Sequence, residues 1–221
     1  MMPRLHPGPS AEDYLKTVYK LSREHRVVIP AMVAGQLGIS SAAVTKMVKR
    51  LREQNLIRYS RSQGIRLTAA GEKIALRIIR HHRLIELYLI RALEFTWDQV
   101  HEEAERLEHV ISDFFSDKID AYLGFPTRDP HGAPIPTKDG RIEDTLGQRL
   151  TDLQPGQRSI IHHVSNDDAA LLRYLAELGM FPGVEVKMVT KEPFGGPYRI
   201  VVSGKTQIIG PDLANQVYMS P

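Results

Sequence analysis

The chain has 221 residues, no cysteine, 42% apolar and 25% charged residues, and a formal net charge of +3. That is enough chain for more than one core and excludes collagen-like, low-complexity and wholly disordered proteins. The missing cysteines exclude disulfide scaffolds, thiolate zinc sites, iron–sulfur clusters and thiol nucleophiles. No run of ~18 apolar residues suggests a membrane span, and the opening MMPRLHPGPS lacks the apolar stretch of a secretory signal, so a cytoplasmic protein is expected.

A helix is expected from Ser10, as N-cap, to about Glu24, with Tyr14, Leu15, Val18 and Tyr19 as its apolar stripe. Pro30 opens a short helix that Gly38 ends. Ser40 and Ser41 cap a third helix to about Gln54, buried through Val44, Met47, Val48 and Leu51. Helix, tight turn and serine-capped helix is helix-turn-helix order. Leu56–Ser60 and Ile65–Leu67 flank a Ser62-Gln63-Gly64 turn, making a hairpin and hence a winged version. Thr68 caps the next helix.

Residues 70–122 read as helical with one interruption near Phe95–Asp98, giving two long helices suited to a dimer interface. A proline- and glycine-rich linker runs to about Leu150. Beyond it, Ile160-Ile161, Val184–Val189, Ile200–Val202, Ile208-Ile209 and Val217-Tyr218 are short strand candidates, with one helix at 167–178, which together suggest a small barrel.

Charge is unevenly spread. Residues 1–80 carry 15 Lys and Arg against 5 Asp and Glu, whereas residues 81–145 carry 7 against 14. A basic first third with a winged helix-turn-helix fits double-stranded DNA. Lys46, Lys49 and Arg50 share a face of the third helix. Ser40, Ala42 and Ala43 lie at its N-terminus, where small residues permit close approach to a major groove. Lys49 and Arg50 suit phosphate, Thr45, Lys46 and the alanine methyls suit base edges, and Arg58, Arg61 and Arg66 lie on or beside the wing. The alternative is a winged helix used for protein contacts.

In the acidic middle, His101, Glu105, Glu108 and His109 fall within roughly 100° of arc on one helix. No Lys or Arg occupies that arc, whereas solvated faces mix signs. His82 and Glu86, four apart upstream, can converge on the same region. Carboxylate and imidazole without thiolate favour Mn²⁺, Fe²⁺ or Zn²⁺, and the carboxylate share points to Mn²⁺ or Fe²⁺. The alternatives are a solvated face on a regulator that senses a small organic ligand, and a dinuclear metal hydrolase. No P-loop or G-x-S-x-G supports an enzyme.

Five stretches carry a resemblance: EDYLKTVYKL at 12–21, SSAAVTKMVKRL at 40–51, RHHRLIE at 80–86, HEEAERLEHVISD at 101–113 and HGAPIP at 131–136. Across essentially its whole length the chain resembles the diphtheria toxin repressor and manganese transport regulator family. The resemblance implies a mainly α protein with a C-terminal β domain. Its parts are a winged helix-turn-helix domain at 1–73, a helical dimerisation and metal-binding domain at 74–123, a linker at 124–149 and an SH3-like barrel at 150–221. It further implies a homodimeric, metal-activated repressor of metal-uptake genes that binds palindromic operator DNA.

By the same resemblance, Asp13, Glu105, Glu108 and His109 form a primary metal site. The aspartate and the glutamate at 105 match the manganese type of the family rather than the iron type. His82, Glu86 and His101 match an ancillary site, completed in long members by the C-terminal domain. Asp168 is the candidate there, with Asp167 or His163 as alternatives, because Leu171 stands where an amide is expected. Lys16 replaces a glutamate ligand of the short manganese regulators, which favours two separated sites over a closely paired one.

Overall fold

A computed structural model describes residues 9–143, 147–165 and 168–220. Contacts divide the chain into two compact units: Met1–His81 with Glu108–Ile111 and Pro136–Ile142, and His82–Leu107 with Ser112–Ile135 and Glu143–Pro221.

The first unit opens with helices α1 (Pro9–Glu24), α2 (Pro30–Leu37) and α3 (Ser41–Glu53). Pro30 starts α2, and Gly38, at φ +63°, ends it in the left-handed conformation that glycine adopts without strain. The Ser40 hydroxyl caps α3 by accepting from the Ala43 N–H at 3.2 Å. Ser10, expected as the cap of α1, instead lies inside the helix, which begins at Pro9, a position where the missing N–H costs nothing. Strands β1 (Ile57–Ser60) and β2 (Gly64–Leu67) pair antiparallel from Ile57↔Leu67 to Ser60↔Gly64. The wing is tied to the loop after α1 where the Ile65 N–H donates to the Val28 carbonyl at 2.8 Å. Tyr14, Leu15, Val33, Val44, Leu51, Leu56, Ile65 and Ala75 are buried together as the core.

The Thr68 hydroxyl caps α4 (Ala69–Leu93) by accepting from the Gly71 N–H at 3.2 Å. Where two long helices were expected, the structure has one of 25 residues and two short ones, α5 (Val100–Leu107) and α6 (Asp113–Tyr122). The second break follows Leu107, and it closes at Ser112, which is extended and caps α6 by accepting from the Phe115 N–H at 3.1 Å. A serine that satisfies the next helix in this way competes with continuation of the previous one.

The C-terminal part is an antiparallel six-stranded sheet in the order β3-β8-β4-β5-β6-β7. The strands are β3 (Gln148–Arg149), β4 (Arg158–Val164), β5 (Glu185–Lys191), β6 (Tyr198–Val202), β7 (Lys205–Ile209) and β8 (Val217–Met219). A 3-10 turn (Leu150–Asp152) and helices α7 (Ala169–Glu177) and α8 (Pro211–Ala214) complete it. Leu150, Ile161, Leu172, Leu175, Met188, Ile200 and Val217 form its core. The anticipated strands all lie in β4–β8 apart from Val184, which precedes β5; β3, only two residues long, was not anticipated. Among the described residues no helix is long and apolar enough to cross a membrane.

Candidate metal centre and DNA-binding surface

In the first unit, α1 presents Glu12, Asp13 and Lys16 towards Glu108 and His109, which follow the end of α5. His109 Nε2 lies 2.7 Å from Asp13 Oδ1 and 3.3 Å from Glu108 Oε1, while its Nδ1 lies 2.9 Å from Glu12 Oε2. Arg77 holds the other Glu12 oxygen at 2.6 Å. Lys16 Nζ lies 2.6 Å from Glu108 Oε1. Burial disfavours a charged His109, but hydrogen bonds to Asp13 and Glu12 and the nearby Asp13 and Glu108 charges outweigh it and raise the ring to about 10. Asp13, Glu108 and His109 each offer a ligand atom within 4.8 Å of the others. A carboxylate behind the imidazole, as Glu12 is here, is how proteins fix the orientation and basicity of a metal-ligating histidine.

In the second unit, α4 presents His82 and Glu86 to His101 of α5. Glu86 Oε1 lies 3.0 Å from His82 Nε2 and 3.2 Å from His101 Nδ1, and the two rings approach to 3.1 Å. The carboxylate of Glu105 is 3.8 Å from both imidazoles. Glu86 is fully buried. Burial penalises its charge, yet the His82 charge and the favourable polar interactions with His101, His131 and His82 hold it well below the usual carboxylate range.

A further group, not anticipated from the sequence, shares Glu86. Its Oε2 faces His131 Nδ1 at 3.7 Å, and Glu86, Asp129 and His131 all bring ligand atoms within 4.8 Å and are all buried. Asp129 Oδ1 accepts the N–H groups of His131 (2.8 Å) and Ala133 (2.9 Å), which folds the Asp-Pro-His-Gly turn. His131 stacks on Trp97 and donates through Nε2 to the Trp97 carbonyl at 3.1 Å, leaving Nδ1 pointed at the carboxylates. His131 Nδ1 and Asp129 Oδ2 are buried without a hydrogen bond, although Arg83 Nε lies 3.4 Å from that oxygen. Buried polar atoms that converge in this way without matched partners are costly. Gly132 follows at φ +89°, and a Cβ there would sit 2.1 Å from the His162 carbonyl oxygen.

The structure thus brings Asp13, Glu108 and His109 together in the first unit, and His82, Glu86 and His101 together in the second. Glu105, expected with the first set, has its carboxylate beside His82 and His101. The single-helix arc behind that expectation does not exist: α5 ends at Leu107, so Glu108 and His109 leave the helix axis. Asp168 is in none of these groups; its Oδ1 caps α7 by accepting from Ala170 and Leu171 N–H. Of the alternatives, Asp167 lies outside the described residues. His163 stacks on Tyr218 with centroids 4.0 Å apart, and burial together with His162, Arg83 and Arg128 lowers it to about 4. Glu12, Asp129 and His131 were missed. The available signal was Asp and His flanking a proline ahead of a glycine, two potential ligands on one tight turn.

On α3, Ala42, Ala43, Thr45, Lys46, Lys49 and Arg50 are all exposed, as are Ser40 at its cap and Arg58, Arg61 and Arg66 of the wing. Val44, Val48 and Leu51 anchor the opposite face in the core. The helix therefore presents a continuous basic surface beginning at a capped N-terminus, suited to a major groove and its phosphates.

Three family models match in succession: the N-terminal DNA-binding domain of iron-dependent repressors over residues 7–65, their metal-binding and dimerisation domain over 68–137, and a FeoA domain over 148–221. The iron-dependent repressor IdeR of Mycobacterium tuberculosis (strain ATCC 25618 / H37Rv) is 31% identical over 91% of this chain and 92% of its own. The chain belongs to the iron-dependent repressor family. The diphtheria toxin repressor of Corynebacterium efficiens is another such repressor, 30% identical over 94% of each chain. Among solved structures, a manganese-dependent transcriptional repressor complexed with manganese superposes with a TM-score of 0.89 at 33% identity, covering 95% of this chain and 99% of the other. ScaR with bound Zn²⁺ superposes at 0.83 with 31% identity. This is a family of metal-dependent transcriptional repressors rather than enzymes. In this member the FeoA domain is the SH3-like antiparallel sheet.

Proposed function

We propose that this repressor responds to Mn²⁺ or Fe²⁺, with manganese favoured, and acts as a homodimer on palindromic operator DNA upstream of metal-uptake genes. The observation that carries the reading is the Asp13–Glu108–His109 group, whose ligand atoms lie within 4.8 Å of one another. Its donors are two carboxylates and one imidazole in a chain without cysteine, a set that suits Mn²⁺ or Fe²⁺ over softer ions. His82, Glu86 and His101, with Glu105 alongside and Asp129 and His131 sharing Glu86, supply a second, ancillary site.

A divalent ion supplies charge that holds carboxylates and imidazole together. The chain's own residues do the rest. Asp13 sits on the helix that packs the DNA-binding core through Tyr14, Leu15 and Val18. Glu108 and His109 continue directly from α5. Drawing Asp13 to them fixes α1, and through the core fixes α3 for its half-site. By linkage, operator DNA raises metal affinity by the factor that metal raises operator affinity, a coupling of about 1–3 kcal/mol.

The test is fluorescence anisotropy on operator-library DNA at fixed salt, with chelator, Mn²⁺ or anaerobic Fe²⁺. Tightening at lower free Mn²⁺ than Fe²⁺ is the expected result. Tight binding indifferent to every metal would overturn the sensor reading.

A further inference from the structure

Lys16 lies one turn after Asp13 on α1, on the same face. Its ammonium is 2.6 Å from Glu108 Oε1, and the two side chains are 8% and 0% exposed. Lysine is rarely buried so deeply unless it is paired. The oxygen it holds is the one that faces His109 Nε2 at 3.3 Å, so the ammonium is bound to the atom through which Glu108 joins the metal-binding group. Arg77 similarly holds Glu12 at 2.6 Å. Of the three carboxylates around His109, two are therefore matched by fixed cations.

We propose that Lys16 is a resident counter-cation of the Asp13–Glu108–His109 group, with which a divalent ion competes for Glu108, so that this ammonium sets the metal concentration at which the protein responds. The proposal rests on the reading of that group as a metal site. An incoming dication meets a like charge in a buried pocket, where repulsion is much stronger than in water. Without metal, the ammonium keeps Glu108 joined to α1. It spans the same two segments that an ion joins, so the apo group stays assembled while its affinity is held down.

The experiment is Mn²⁺ binding to the metal-stripped full chain, by competition with a fluorescent chelator. Lys16→Met keeps the bulk and removes the charge; Lys16→Arg keeps the charge; Glu108→Gln is the control for the site itself. Lys16→Met is expected to bind Mn²⁺ about tenfold more tightly at unchanged stoichiometry, with Lys16→Arg close to the unmodified chain. If folded Lys16→Met binds no more tightly while Glu108→Gln loses the ion, Lys16 is a strut only and the proposal fails alone. If Glu108→Gln binds as before, the metal-site reading fails and takes the proposal with it. Should Lys16→Met not fold, the unmodified chain still decides. The buried Lys16 ¹⁵Nζ resonance shifts when Zn²⁺ loads if the ion competes for Glu108, and an unshifted resonance at saturation overturns the idea.

Discussion

His109 and Asp13, 96 positions apart in sequence, meet at 2.7 Å while the other nitrogen of the same ring meets Glu12. Both nitrogens face carboxylates, so both carry a proton and the ring is an imidazolium in the metal-free protein. A divalent ion held by His109 would take the place of the Nε2 proton. Loading near neutral pH should therefore release about one proton per ion, seen as a dependence of calorimetric enthalpy on buffer ionisation heat, and His109→Ala should abolish it. Because the folded value, about 10, lies above the ordinary 6.5, this charge stabilises the apo fold fully below pH 6.5. That contribution fades as pH rises towards 10. Apo melting temperature should fall across that window in the unmodified chain and less in His109→Ala.

Asp13 and Glu108 should separate function from stability. Both substitutions, Asp13→Ala and Glu108→Gln, should remove metal-dependent operator binding. The Asp13 side chain is 34% exposed and that of Glu108 is 0%. Glu108→Gln removes the charge from one side of a buried ion pair and should cost about 3–5 kcal/mol in urea unfolding, whereas Asp13→Ala should cost far less. Unchanged metal dependence in Asp13→Ala would break the proposed linkage.

Lys49 is exposed on α3 and placed for phosphate. Lys49→Ala should weaken binding to all sequences alike and reduce the slope of log affinity against log salt by about one unit. Selective loss on one operator would instead assign Lys49 to a base edge.

Gly132→Ala should destabilise the Asp129–His131 turn. The residue has φ +89° and its Cβ would strike the His162 carbonyl oxygen, so a loss of about 1–3 kcal/mol is expected. Thermal unfolding measures this, and an unaltered melting temperature would show that the turn yields.

Legibility followed punctuation. Pro30, Gly38, Ser40 and Thr68 marked real helix ends, because each has a specific backbone consequence. The β-branched runs at Ile160, Val184 and Ile200 marked strand positions, Val184 lying one residue ahead of β5. Between Val100 and Leu123 no glycine or proline occurs, so the break after Leu107 left only Ser112 as its trace. That hidden break is why residues 101 to 109 read as one helical arc. Asp13 was reachable only through family resemblance, since a carboxylate in a first helical turn is favoured without any ion. Asp129 and His131 lie in a linker with no periodicity to reveal what they face.

Glu86 divides its two oxygens between His82 with His101 and His131. In genetic terms this makes it a bottleneck. Losing His101 leaves the other group of ligands whole, and losing His131 leaves the first. Losing Glu86 disables both, so a second substitution at any of these histidines adds little. In a pairwise mutational map, Glu86 should be the position whose loss masks the rest.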